Sequence, residues 1–128
     1  MGFFTNDLDK CVAQEADVGI YRWGSKWRNL TTVGITFYQV AIKELSRKSK
    51  EQFLPCNLMR EPQNKHSARA IALVCQGRII GHVPNDDLDF WHQIFEQYND
   101  PRVCLAGRVK FRGQGSNTFF VDAEIRIP

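Results

Sequence analysis

The chain has 128 residues, enough for one domain with a single modest core and too few for a catalytic domain with separate lobes. Seventeen Lys and Arg against fourteen Asp and Glu leave a net charge of +3, which permits contact with nucleic acid, although a dedicated duplex binder usually carries more. The four cysteines, Cys11, Cys56, Cys75 and Cys104, stand far apart with no Cys-x-x-Cys pair, so buried reduced thiols are expected rather than a zinc site or a disulfide framework. No apolar run is long enough to cross a bilayer and no basic-then-apolar leader opens the chain, which predicts an intracellular protein of the nucleus or cytoplasm without membrane contact.

Residues 1–30 read as an N-terminal extension, acidic at Asp7, Asp9, Glu15 and Asp17 and then aromatic and basic from Tyr21 to Arg28. Flat rings beside Arg and Lys suit nucleic acid. Equally, Trp23 and Trp27, four apart, would share one helical face and dock the extension onto the domain that follows; docking is the preferred reading, because large aromatics usually find a core.

The rest, 31–128, forms one domain. Val33, Ile35 and Phe37 alternate with Gly34 and Thr36, predicting a strand that ends at Tyr38. A helix follows from Gln39 to Lys50, with Val40, Ala41, Ile42 and Leu45 on one side and Lys43, Arg47 and Lys48 on the other, a charged side more often solvated than binding. Phe53 to Leu58 leads into the polar run Pro62-Gln63-Asn64-Lys65-His66-Ser67, which cannot be regular structure and projects from a β scaffold. Ala70 to Cys75, a Gln76-Gly77 turn and Arg78 to Val83 read as a hairpin. After Pro84, Leu88, Trp91, Ile94, Phe95 and Tyr98 recur at helical spacing until Asn99-Asp100-Pro101. Strict alternation from Val103 to Arg112 and from Phe119 to Ile127, around the Gly113–Asn117 turn, gives a last hairpin; Asp122 and Glu124 lie where they can neutralise Arg108, Lys110 and Arg112.

Catalysis has little support, and no cofactor is implied. His66, His82 and His92 lack metal-ligand spacing, no nucleophile or phosphate-binding motif occurs, and Asp86, Asp87 and Asp89 read as favourable charge at a helix start. The pattern is that of a binding module, not an enzyme.

Three segments, Thr31 to Tyr38, Arg60 to Asn64 with Ala70 to Leu73, and Ile80-Gly81-His82-Val83-Pro84, carry a resemblance to the HIRAN domain. That family is a small β-barrel module of DNA-repair helicases and translocases that captures the 3′ end of single-stranded DNA. The resemblance implies a mainly β, α+β fold with two helices, a six-stranded barrel of the OB or SH3-like kind, present as a stand-alone or excised domain. It implies a partner, single-stranded DNA or DNA ends, and a helicase or other protein beside it. It also implies nucleic-acid-binding residues: Thr36, Phe37 and Tyr38 at the strand end, Asn64, His66 and Ser67 in the loop around the terminal nucleotide, and His82 and Asn85 near the backbone. The family carries arginine where this chain has Thr36, tyrosine at Phe37 and at His66, aspartate at Ser67 and lysine at Asn85. Two cationic contacts and the strong acceptor for the 3′-hydroxyl are thereby missing. Two readings follow: a single-strand binder with altered end recognition, or a protein-interaction module that keeps the barrel without the DNA cage.

Overall fold

The structure is a computed structural model of the whole chain, and it describes residues 25–49, 52–113 and 118–128. Most of the expected extension, including Tyr21, Trp23 and Cys11, and the tip of the last hairpin at 114–117 lie outside the described residues.

The scaffold is one six-stranded antiparallel sheet with two α-helices. In chain order it runs β1 (Lys26–Leu30), a 3-10 helix (Ile35–Tyr38), α1 (Gln39–Ser49), β2 (Leu54–Arg60), β3 (Ile71–Cys75) and β4 (Arg78–His82). A second 3-10 turn (Asn85–Asp87), α2 (Leu88–Glu96), β5 (Leu105–Arg112) and β6 (Phe120–Ile127) complete it. The strand order is β1-β6-β5-β2-β3-β4.

The expected barrel is not closed: β1 and β4 are edges of an open sheet. Closing a sheet needs a full ladder between its first and last strands. Among the described residues only Val33, three residues past β1, makes an isolated bridge to His82 on β4, through N–H···O contacts of 2.8 and 3.0 Å. The approach depends on Gly81, since a Cβ there would stand 3.1 Å from the Cβ of Thr32.

The strand expected over Val33–Tyr38 is a second departure. Gly34 adopts φ 77°, a left-handed conformation that ends extended structure, and Ile35–Tyr38 then coils into the 3-10 helix. Alternation over five residues is too short to tell a strand from a single turn. A third departure lies at the start. Lys26–Leu30 pairs with β6 from Lys26↔Ile127 to Leu30↔Ala123, so the end of the expected extension is a sheet strand and Trp27 does not sit on a helix.

Elsewhere the patterns behave as read. The continuous apolar run of β3 is buried on both faces. Ile71, Leu73 and Cys75 join the main core with Leu58, Leu45, Ile42, Phe95, Leu105, Val109 and Ile125, while Ala72 and Val74 form a smaller cluster with Met59 and Cys104. α1 turns Ala41, Ile42 and Leu45 inward, but Val40, expected on that side, is 70% exposed. Cys56 and Cys75 are buried reduced thiols; burial pushes the Cys75 thiol up to about 12, and burial with the nearby Cys75 raises Cys56 well above its ordinary value. Cys104, expected to be reduced, is disulfide-bonded, a pairing that sequence spacing cannot reveal because it depends on tertiary proximity. Among the described residues no helix is long and apolar enough to cross a membrane.

Candidate functional site

The segments that carry the family resemblance meet at the β4 edge. Gly34 and the 3-10 helix supply one wall, the loop between β2 and β3 a second, and the end of β4 with the turn after Pro84 a third. Between them is a cavity of about 500 Å³, in the range of small-ligand pockets. Seven of the eight expected binding residues line it: Phe37, Tyr38, Asn64, His66, Ser67, His82 and Asn85. Thr36 does not; the 3-10 turn carries its exposed side chain away from the cavity. Val33, Ala70, Val83 and Leu88 make much of the remaining wall apolar.

The loop is built by its own polar groups. Glu61 N–H donates to the Ala70 carbonyl at 2.8 Å and closes the base. Asn64 Oδ1 accepts from the N–H groups of His66 at 2.8 Å and Ser67 at 3.2 Å, and Asn64 Nδ2 donates to Glu61 Oε1 at 3.3 Å. Ser67 Oγ accepts from Arg69 N–H at 3.1 Å. Asn64 therefore folds the loop as an Asx turn, and its side chain is already engaged before any ligand arrives. The Ser67 hydroxyl keeps its proton to donate.

A polar chain runs along the cavity wall. His82 Nε2 lies 2.7 Å from Glu61 Oε1, and His82 Nδ1 lies 3.4 Å from the Tyr38 hydroxyl, whose ring is tilted 41° against the imidazole. Glu61 and His82 are largely shielded, with 15% and 22% of their side chains exposed. Burial, and then the Glu61 carboxylate, hold the Tyr38 hydroxyl above its ordinary value, so it stays protonated. A tyrosine held in that form is a hydrogen-bonding group, not a nucleophile. Glu61 is the residue that sequence reading missed as part of the site, since only tertiary structure shows that its partner is His82.

The rim is aromatic and apolar. Phe37 is 85% exposed, and Val33 and, at the start of α1, Val40 are exposed as well. Among the described residues no lysine or arginine lines the cavity. Arg69, close by in the loop, pairs with Asp89 at 2.5 Å, and Arg60 donates to the Asp100 carbonyl at 2.8 Å while stacking on Phe95, 4.5 Å from its centroid. Each guanidinium group thus has a partner outside the cavity lining, although the buried Arg60 Nε makes no hydrogen bond among the described residues.

The basic strand face is a separate region. Arg108 lies 4.4 Å from the ring centroids of both Trp27 and Phe53 and bonds Glu124 at 2.8 Å. Arg112 pairs with Asp122, Arg126 stacks on Trp27 and Lys110 lies over Phe53. The neutralisation expected from cross-strand register is present at Arg108↔Glu124; Lys110 faces Asp122 in register, while Asp122 bonds Arg112.

Among the described residues no group of His, Cys, Asp and Glu could hold a metal ion. The chain matches no protein-family model, no curated protein and no solved structure.

Proposed function

We propose that the chain is a binding module for single-stranded nucleic acid, DNA ends foremost, and that the cavity at the β4 edge takes one terminal nucleotide. The observation that carries this reading is the convergence of three sequence-distant segments on one cavity with an exposed ring, Phe37, at its mouth. Such a ring offers a face to an unpaired base, and stacking contributes about 1–3 kcal/mol per base. Below it, Tyr38, His66, Ser67 and Asn85 offer hydrogen-bonding groups of the sort that read a splayed-out nucleotide. With no lysine or arginine among the described residues that line the cavity, recognition there works by stacking and hydrogen bonding more than by phosphate neutralisation. The HIRAN-like scaffold is part of this proposal and rests on the sequence resemblance.

Fluorescence anisotropy with short labelled single strands tests it. Binding that is weakened about tenfold by Phe37→Ala is the expected result; strands that stay unbound at low salt refute it.

A second reading is favoured by the rim itself. Val33, Phe37 on the 3-10 helix and Val40 at the start of α1 each expose apolar surface within eight residues of chain, which suits a protein partner. Recovery of a protein through this rim after nuclease treatment, lost in Val40→Glu, would support it over the first.

A further inference from the structure

Among the described residues no lysine or arginine lines the cavity, so the phosphates of a strand seated there must find their cations outside it. Helix α1 leaves directly from the cavity wall: Tyr38 lines the cavity, and Gln39 is the first residue of the helix. That junction is held. Gln39 Nε2 donates to the Ile35 carbonyl at 3.1 Å and to the Phe119 carbonyl at 3.0 Å, and Gln39 Oε1 accepts from Phe119 N–H at 2.9 Å. The 3-10 helix and the start of α1 are thereby tied to the chain entering β6. On the inward side Ala41, Ile42, Leu45, Ser46 and Ser49 are buried. The outward side of α1 thus keeps one direction relative to the cavity, and a ligand lying along it meets a surface already in place.

That outward side carries Val40, Lys43, Glu44, Arg47 and Lys48, all exposed. Positions three and four apart are neighbours on a helix, so Val40, Lys43 and Arg47 form one ridge. Lys43 and Arg47 stand about 6 and 12 Å along the axis from Gln39. Glu44, the acidic residue beside them, is paired with Arg78 of β4. Among the described residues no carboxylate and no ring engages Lys43 or Arg47, in contrast to Arg108, Arg112 and Arg126 on the strand face. A charged helix side is more often solvated than binding; this one starts at the cavity wall and bears cations that no described group pairs.

We infer that the Lys43–Arg47 ridge of α1 is the track along which a single strand leaves the cavity, each of the two cations meeting one backbone phosphate. The inference rests on the proposed single-strand reading and deepens it: the cavity takes one nucleotide, and the helix takes the backbone behind it. The two side chains are about 6 Å apart along the axis, a step that a flexible strand matches from one phosphate to the next, and their long stems absorb the remainder. Phosphate contacts position a strand and carry no sequence information, so the track adds affinity without base preference.

Fluorescence anisotropy with six-nucleotide strands, made with phosphate linkages or with uncharged methylphosphonate linkages, tests this. Lys43→Ala combined with Arg47→Ala places the best helix-forming residue at two exposed positions, so the unfolding midpoint should hold. The pair should weaken the phosphate strand about tenfold at 50 mM salt and lower the slope of log affinity against log salt by about 1.4, about 0.7 for each cation. The methylphosphonate strand should bind the altered and unaltered proteins alike. Lys48→Ala, about 100° round the helix from Arg47, should leave the slope unchanged. A slope unmoved by the double variant while strands still bind overturns the inference and leaves the proposed function standing, as does a slope lowered as much by Lys48→Ala or an equal loss on the uncharged strand. Failure of every strand to bind overturns both.

Discussion

The strand face and the cavity use the same kinds of side chain to opposite ends. On the face made by β1, β5 and β6 with Phe53, every ring that is partly exposed has a cation over it: Arg108 and Arg126 on Trp27, Arg108 and Lys110 on Phe53, Arg112 on Phe120. Glu124 and Asp122 complete the array. Aromatic and basic residues that look like a nucleic-acid surface in the sequence thereby satisfy one another, and a base could stack on Trp27 only by displacing guanidinium groups. At the cavity, the Phe37 ring is 85% exposed and the polar groups surround an open space. Composition alone does not separate the two regions; what separates them is whether the interacting capacity of the side chains is already used.

If this contrast is right, changes on the strand side should alter stability and changes at the cavity should alter binding. The largest effect is expected at Gly107, on β5 beneath the array. A Cβ at this position would stand 2.4 Å from the Glu124 carbonyl oxygen and 2.6 Å from Ile125, so Gly107→Val must push β5 and β6 apart. A loss of about 3 kcal/mol or more in denaturant unfolding is expected. Phe37→Ala comes next. Its single-strand affinity should fall about tenfold, while its unfolding midpoint moves by no more than about 0.5 kcal/mol, because so exposed a ring supports little of the fold. Arg108→Ala should do the reverse, costing about 1 kcal/mol of stability through the lost Glu124 bond and ring contacts and leaving affinity unchanged. Were Arg108→Ala to weaken binding as much as Phe37→Ala, the two regions would form one surface.

How much of this was legible in the sequence follows from the range of the interactions involved. Helices α1 and α2 and the hairpins β3–β4 and β5–β6 are local objects, and their spacing of apolar residues and turn signals predicted them closely. The membership of Lys26–Leu30 in the sheet was not legible, because its partner β6 lies nearly a hundred residues along the chain and the Trp-x-x-x-Trp spacing suggested a helix. The 3-10 helix at Ile35–Tyr38 was missed for a local reason, the left-handed Gly34. Of the site, the resemblance supplied residues that the structure gathers at one cavity, apart from Thr36. It did not supply the wiring. That Asn64 spends its side chain on the loop, and that Glu61 reaches His82, depends on how the loop closes at Glu61 and Ala70.

The smallest expected effect is that of salt, and it divides the two regions most sharply. Each phosphate neutralised by a cation adds about 0.7 to the slope of log affinity against log salt for a single strand. Among the described residues the cavity is lined by no lysine or arginine, and Lys65 is exposed in the neighbouring loop. One or two phosphate contacts would give a loss of about three- to sevenfold between 50 and 200 mM salt. The strand face, by contrast, has Arg108, Lys110, Arg112 and Arg126 within two adjacent strands. A strand laid across it would break several of these cations from their carboxylates and rings, and with all four engaged its binding would then fall by about fiftyfold over the same range. A shallow slope that stays shallow in Arg108→Ala places the ligand at the cavity; a steep one that Arg108→Ala flattens would mean that the array opens to bind, and that its internal pairing is the resting state of a site.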